Sequence, residues 1–172
     1  MAYESDLETD FSTVPLVDAM GAYIIEFVLG FDLDEDKSVV MSVMLVPGGS
    51  YVEPVVDGLF DLRFGIREID LSSAGGWRVT APDYSREAVE KYIPKELRTL
   101  VLLYIGRCAK VLVETASAAG VTMETYYSNL EGRALEKYDH ICSRVHDLGF
   151  ETKESFRDGT NGKNYWFLIR TN

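Results

Sequence analysis

One long stretch of the chain, residues 95–118, carries apolar residues around most of a helical circumference. Its polar positions Arg107, Lys110 and Glu114 are spaced three and four residues apart, which places them on one narrow stripe of a helix. A helix that is apolar on nearly every other side has to be covered by other elements. The stretch therefore predicts a long, central, buried helix, and Gly120 is expected to follow its end.

Strand-like segments precede this helix. Residues 22–31 and 38–46 are apolar and flank the polar stretch 32–37, a pattern that predicts a hairpin. Residues 59–69 alternate apolar and polar side chains, which is typical of a strand with one buried face and one face in water. After a turn with two glycines, Trp77–Thr80 is expected to form a further short strand. The first half of the chain therefore supplies the strands that cover the helix.

The segment 13–30 is ambiguous. Its apolar residues fit helical spacing, yet its second half is rich in strand formers. We expect a short helix at 14–20 that is broken at Gly21, followed by the strand at 22–31. Residues 1–12 combine charged and small polar groups, so we expect them to form a flexible acidic arm ahead of a single domain at 13–172.

Behind the long helix, the pattern predicts a strand, a second helix and two closing strands, over residues 121–127, 130–148, 150–157 and 163–170. Ser128–Glu131 has the spacing of a capping box, and Gly149 is expected to end the second helix. The sequence thus indicates the α+β class. We expect one mixed or antiparallel sheet of about six to seven strands, packed with a long central helix and a second C-terminal helix.

The acidic charge is concentrated at the start of the chain. Residues 1–36 contain ten carboxylates and no Lys or Arg, whereas the remainder contains 18 acidic and 17 basic side chains. The basic footprint that nucleic acids or anionic membranes require is missing. We hypothesise a non-enzymatic protein-binding module, inhibitor-, immunity- or antitoxin-like, that contacts a basic partner through Asp32, Asp34, Glu35 and Asp36. Acidity that serves only solubility is the alternative.

Several chemistries lack the residues they need. Cys108 and Cys142 lie inside apolar helical patterns, which favours free, packed thiols and a reducing, cytoplasmic location. His140 and His146 are six residues apart on one helix and cannot share a metal ion. No apolar run approaches the roughly 18 residues of a membrane span, and residues 1–6 do not resemble a secretory signal. We therefore predict no metal site, no membrane association and no resident cofactor.

Two local arrangements are candidates for a site. Glu136 precedes His140 by four residues, so a carboxylate could orient an imidazole for general-base work; an ordinary surface pair is the alternative. The junction 126–133 leads from a strand into a helix N-terminus, where unpaired N–H groups attract anions. We name its candidate ligand-binding residues as Tyr126, Tyr127, Ser128, Asn129 and Arg133. A capped helix start with one tyrosine in the core is the alternative.

The second half of the chain resembles the C-terminal half of the GNAT acyltransferase superfamily. The likeness covers residues 95–170 and rests on Ala118-Ala119-Gly120, Asn129, Ala134, Tyr138 and Gly149-Phe150, with a closing hairpin behind them. It implies an N-acyltransferase or an acyl-CoA-binding protein that uses acetyl-CoA. Tyr138 would match the family's general acid for the leaving thiol, and Asn129 its cofactor-side asparagine. The family's glycine-rich pyrophosphate loop has no counterpart at 92–98, which contains no glycine.

Overall fold

The described part of the chain forms one mixed sheet with helices packed on it. The structure, a computed structural model, describes residues 3–7, 10–48, 57–71 and 80–171. The strands are β1 (Tyr3–Ser5), β2 (Leu16–Val17), β3 (Tyr23–Asp32), β4 (Lys37–Pro47), β5 (Leu59–Asp70), β6 (Gly120–Glu124), β7 (Phe150–Arg157) and β8 (Asn164–Arg170). The helices are α1 (Arg86–Tyr92), α2 (Arg98–Thr115) and α3 (Arg133–His146), and a short 3-10 turn at Lys95–Leu97 precedes α2.

The strand order confirms the predicted fold class. The sheet runs β1-β3-β4-β5-β6-β8-β7, and β2 pairs separately with β3. Among the described strands, β5 and β6 form the one parallel pair, and the other pairings are antiparallel. The hairpin of β3 and β4 around residues 33–36 matches the prediction, and so does the closing hairpin of β7 and β8. The apolar strand β8 lies between two others, as its sequence requires.

The long helix α2 occupies the centre of the core. Its side chains Ile105, Cys108 and Leu112 are fully buried, together with residues of β3 and β4 that face it. Helix α3 packs beside α2 at Gly106, where an added Cβ would lie 3.0 Å from the Arg144 Cγ atom. An added Cβ would press on the Arg144 side chain, so glycine suits the close approach of the two helices. No helix within the described ranges is both long and apolar enough to cross a membrane.

The short helix expected at 14–20 is wrong. Leu16 and Val17 form the two-residue strand β2, and the chain then turns before β3. The Asp18 carboxylate accepts hydrogen bonds from the N–H groups of Met20 (2.8 Å) and Ala22 (2.9 Å), so this side chain stabilises a turn in place of a helix. Leu16 and Met20 are 71% and 81% exposed, which shows that the apolar spacing does not mark a core face.

The described residues of the segment 1–12 lie against the domain and do not extend away from it as an arm. Strand β1 pairs antiparallel with the end of β3. The Tyr3 hydroxyl donates to the Tyr92 carbonyl at 2.9 Å, and the buried Phe11 ring stacks on Phe27 with the ring centroids 4.8 Å apart. Aromatic burial of this kind anchors a segment that its charged residues alone would leave in water. Tyr3 and Phe11 thus attach the described residues of this segment to the sheet and the core.

The start of α3 also differs from the prediction. The capping box expected at Ser128–Glu131 is not formed, because α3 begins at Arg133 behind Gly132, whose φ of +55° suits glycine. The Ser128 hydroxyl instead donates to the Asn161 carbonyl in the closing hairpin. The predicted strand at Trp77–Thr80 lies, except for Thr80, outside the described residues.

The N-terminus of α1 carries a side-chain cap whose loss is measurable. The Ser85 hydroxyl accepts the Ala88 N–H at 2.9 Å and donates to the Asp83 carboxylate at 3.1 Å. We expect Ser85→Ala to lower the free energy of unfolding by about 1 kcal/mol, the usual loss for an N-cap. Urea denaturation followed by circular dichroism checks it. Ser143→Ala, on the exposed side of α3, is the control; equal losses in both variants would contradict the capping role.

Candidate functional site

A cleft opens where the two parallel strands of the sheet separate. β5 has twelve residues, yet it pairs with β6 at three positions, the last of which joins Asp61 to Thr122. β6 ends at Glu124, while β5 continues to Asp70. Further along, β5 is joined by residues before α1, since the Ile66 and Asp83 backbones exchange hydrogen bonds of 2.7 and 2.9 Å. The cleft lies along this edge of β5, between the residues that pair with β6 and the residues that pair with Asp83.

The cleft has a volume of about 510 Å³. It is lined by Met44, Leu62, Arg63, Phe64, Pro82, Glu124, Tyr126, Tyr127, Tyr138 and Lys163. Met44 and Arg63 are cross-strand partners and share one face of the sheet, whereas neighbouring Phe64 contacts Tyr138 of α3 on the other face. The cleft therefore reaches both faces of the sheet. Its lining combines aromatic rings with a few charged groups, the composition typical of a small-molecule site.

Tyr138 forms the inner wall of the cleft. Its ring is 1% exposed and stacks on Trp166 with the centroids 5.4 Å apart. Its hydroxyl oxygen accepts the backbone N–H of Tyr126 at 3.0 Å. Burial raises the pKa of Tyr138 to about 12, so the phenol keeps its proton at neutral pH. The oxygen accepts the Tyr126 N–H, and in the described part of the chain the hydroxyl proton is not used in a hydrogen bond.

A partly buried ion pair lies at the end of β6 within the cleft. The Lys163 ammonium contacts the Glu124 Oε1 atom at 3.0 Å, and both side chains are under 30% exposed. The other oxygen of this carboxylate, Oε2, is buried and has no hydrogen-bond partner in the described part of the chain. A buried carboxylate oxygen without a donor is costly. Glu124 can therefore accept a proton or a hydrogen bond from a ligand in the cleft.

The rim of the cleft is aromatic. Tyr126 and Tyr127 are 42% and 41% exposed and meet edge to face, with the ring centroids 5.0 Å apart. Burial and the nearby Asp83 carboxylate raise the pKa of Tyr126. The Tyr127 hydroxyl donates to the Glu87 carboxylate at 3.3 Å. Two exposed rings beside an open cleft supply flat apolar surface for a ligand. Both residues were predicted to bind a ligand, and the structure brings them together with Tyr138.

The other residues predicted at the junction 126–133 lie elsewhere. Ser128 contacts Asn161, and the Asn129 carboxamide oxygen accepts a hydrogen bond from Arg157. Both therefore connect the loop before α3 to the closing hairpin. Arg133 lines a different cavity, beside α2. The residues predicted to form one anion site are therefore apart: Ser128 and Asn129 contact the closing hairpin, and Arg133 lines a second cavity.

The predicted Glu136–His140 pair also lies away from the cleft. His140 packs toward α2, where its Nε2 atom would be 3.6 Å from a Cβ on Gly106. This Nε2 atom is buried without a hydrogen-bond partner among the described residues, and Glu136 is exposed. Burial raises the pKa of the Cys108 and Cys142 thiols to about 12 each, so neither is a ready nucleophile.

Three of the four acidic residues proposed to contact a partner, Asp34, Glu35 and Asp36, lie exposed in the turn between β3 and β4. Asp32 is 2% exposed, so its carboxylate cannot meet a partner, and this corrects its assignment. Glu35 forms an ion pair with Lys37. Within the same N-terminal region, Glu26 pairs with Arg67 at 3.2 Å. A strand as long as β3 spans roughly 30 Å, so it separates the acidic hairpin from the turn at Asp18.

Sequence reasoning missed Glu124, Lys163 and Arg63 as cleft residues. Glu124 is the one charged residue in the apolar segment 120–126, which is a usable signal for a special position. Lys163 lies in a hairpin turn, and Arg63 on the wet face of an alternating strand, where charged residues are ordinary. Their meeting depends on the order of strands in the sheet, which the sequence pattern does not specify.

Comparisons with known proteins give little similarity. No protein-family model matches the chain, and no curated protein matches it. A solved structure that matches is a spermidine N-acetyltransferase chimera made from Vibrio cholerae SpeG and hSSAT. The match has 12% sequence identity and a TM-score of 0.35, and it covers 87% of this chain and 66% of that one. The chain thus spans just under two thirds of that structure, and similarity this low assigns no family.

Proposed function

We propose that the protein is an N-acyltransferase that moves an acyl group from a thioester to an amine in the cleft between β5 and β6. The observation that carries the proposal is the Tyr138 phenol, a buried hydroxyl that accepts a backbone N–H and keeps its own proton in the cleft. The resemblance of residues 95–170 to the GNAT superfamily supports it, since Tyr138 matches the general acid of that family. This proposal takes precedence over the protein-binding hypothesis, of whose four acidic residues Asp32 is buried and Glu35 is paired with Lys37.

The chemistry requires one proton donor and one proton acceptor. The amine nitrogen attacks the thioester carbonyl carbon, a C–N bond forms, and the C–S bond breaks. The Glu124 carboxylate accepts the proton that the amine loses, and the Tyr138 hydroxyl donates its proton to the departing sulfur. General acid and base groups of this kind each contribute about 10² to 10⁴ to a rate. Afterwards a proton passes from Glu124 to Tyr138 through solvent, which restores both groups.

The surroundings suit the two groups to these roles. Lys163 holds one oxygen of Glu124 at 3.0 Å, and the other oxygen has no hydrogen-bond partner among the described residues. Stacking on Trp166 fixes the Tyr138 ring, so its hydroxyl is positioned before a ligand arrives. The rings of Tyr126 and Tyr127 provide apolar surface at the entrance. These contacts favour a small amine over a protein substrate, since the cleft holds about 510 Å³.

Acetyl-CoA is the thioester to test first. Purified protein is mixed with acetyl-CoA and a panel of primary amines, and the release of free thiol is followed with a chromogenic disulfide. We expect amine-dependent thiol release that is absent without protein. A panel of mono-, di- and polyamines, aromatic amines and amino sugars samples the chemistry that the cleft can hold. No thiol release with any amine, at millimolar acetyl-CoA, would contradict the proposal.

Contact with a basic partner through the hairpin at Asp34, Glu35 and Asp36 stays a separate prediction, as does the cytoplasmic location.

A further inference from the structure

A second cavity lies beside Tyr84, near the N-terminal ends of α2 and α3. It has a volume of about 590 Å³ and lies between the connection from α1 to α2 and the N-terminal half of α3. Its apolar wall consists of Val89, Ile93 and Leu102. The described lining residues of this cavity and of the cleft do not overlap. The cavity is therefore a separate feature of the molecule, which the proposed acyl transfer does not use.

Three cationic side chains line this cavity. They are Arg98 at the start of α2, and Arg133 and Lys137 in the first part of α3. The described lining residues of this cavity include no carboxylate, although the chain has 28 acidic and 17 basic residues. In the described part of the molecule, none of the three forms an ion pair. Glu90 of α1 interacts electrostatically with Arg98 but forms its ion pair with Arg86. Positive charge that is only partly balanced by the protein favours a bound anion.

The contacts that the three cations do make leave them available. The Lys137 ammonium lies 4.3 Å from the centroid of the Tyr84 ring and 5.2 Å from that of Tyr138, over aromatic faces. Arg98 donates through Nε to the Ile93 carbonyl at 3.2 Å, which leaves its terminal nitrogens free to bind. Burial without a carboxylate lowers the pKa of Lys137 to about 8. A bound anion would favour the charged form of this lysine.

We propose that this cavity binds the phosphate groups of a phosphorylated small molecule through Arg98, Arg133 and Lys137. Three cations match the charge of a pyrophosphate or of two phosphate groups, and arginine binds phosphate oxygens in pairs. Thr99, at the start of α2, lies in the same lining. A volume of about 590 Å³ exceeds that of one phosphate, so the apolar wall contacts the rest of the ligand.

The test measures the calorimetric binding of sodium pyrophosphate to the full chain and to two variants. Arg133→Gln removes an exposed charge, so folding is retained, and Lys137→Met keeps the apolar length of the side chain over Tyr84. We expect saturable binding by the unchanged protein and a loss of about tenfold or more in each variant. Lys153→Met, on the exposed strand β7, is the control and should bind as the unchanged protein does.

Two results would overturn the assignment: absence of saturable binding at millimolar pyrophosphate, or equal affinity in both variants and the unchanged protein. Acetyl-CoA then distinguishes two sources of the phosphate. If the phosphates belong to the acyl donor, acetyl-CoA displaces pyrophosphate, and Lys137→Met weakens both. If they belong to a separate metabolite, both bind together. Pyrophosphate binding does not depend on catalysis, so failure of acyl transfer leaves this assignment standing, and the converse also holds.

Discussion

Replacing Tyr138 with phenylalanine should lower amine-dependent thiol release from acetyl-CoA by about 100-fold or more, because the leaving sulfur loses its proton donor. The phenylalanine ring still stacks on Trp166 and Phe64, so the core stays filled. The Tyr126 N–H loses its acceptor, and we expect a destabilisation of about 1 kcal/mol. The rate at saturating acetyl-CoA is the quantity to measure, since loss of a transition-state contact lowers kcat.

Tyr104→Phe is the matched control for this variant. Tyr104 makes the same kind of aromatic contacts, with Phe11 and Phe27 at centroid distances of 5.2 and 5.6 Å, but it lies on α2 and does not line the cleft. Loss of the Tyr104 hydroxyl should leave the rate of thiol release unchanged. If Tyr138→Phe and Tyr104→Phe transfer acyl groups equally fast, Tyr138 is a core residue and the proposed acid role is wrong.

A methyl group at Gly65 should destabilise the whole domain. An ideal Cβ on this residue of β5 would lie 2.7 Å from the Pro82 Cβ atom and 2.9 Å from the Asp83 nitrogen. The segment 80–83 would have to leave β5, with loss of both hydrogen bonds between Ile66 and Asp83. Overpacking and two lost hydrogen bonds together predict that Gly65→Ala lowers the free energy of unfolding by about 2–4 kcal/mol. Urea denaturation measures this change.

The control for Gly65 is Gly159→Ala in the turn between β7 and β8. No atom lies within 4 Å of a Cβ built on Gly159, so the same substitution should change the stability by less than about 0.5 kcal/mol. Because Pro82 lines the cleft, Gly65→Ala should also weaken acetyl-CoA binding, while Gly159→Ala should not. Similar stability of the two variants would mean that residues 80–83 do not pack on β5 as the structure has them.

The elements that the sequence predicts well are those with a local periodic pattern. Apolar residues around α2 and the alternation along β5 predict a helix and a strand, and the structure confirms both elements. The expected wet face of β5 is only partly in water, since Asp61 is buried. The helix prediction for 14–20 is wrong because the apolar residues of this segment face solvent, and because hydrogen bonds to Asp18 stabilise a turn there. The prediction for the start of α3 is wrong for a similar reason, since the Ser128 hydroxyl donates a hydrogen bond to the distant residue Asn161.

Only those site residues that lie within one short segment of the chain could be predicted from the sequence. Tyr126, Tyr127 and Tyr138 follow one another closely along the chain, and the first two were named as ligand-binding candidates from the junction that they form. Glu124 and Lys163 meet because β6 and β8 are antiparallel neighbours, which places residues nearly forty positions apart in contact. Composition alone also does not show which acidic residues are accessible. Of the four named for partner contact, Asp32 is buried at the end of β3, whereas the three in the following turn are exposed.

A heteronuclear NMR titration with acetyl-CoA tests most directly whether the cleft between β5 and β6 binds a thioester. The backbone amide of Tyr126 is the reporter, because it donates to the Tyr138 hydroxyl that the proposal assigns to the leaving sulfur. We predict saturable shifts of this amide and of those at Phe64 and Glu124, with no change at the hairpin residues 33–36. Unchanged spectra at millimolar acetyl-CoA, or shifts confined to the hairpin, would contradict the account.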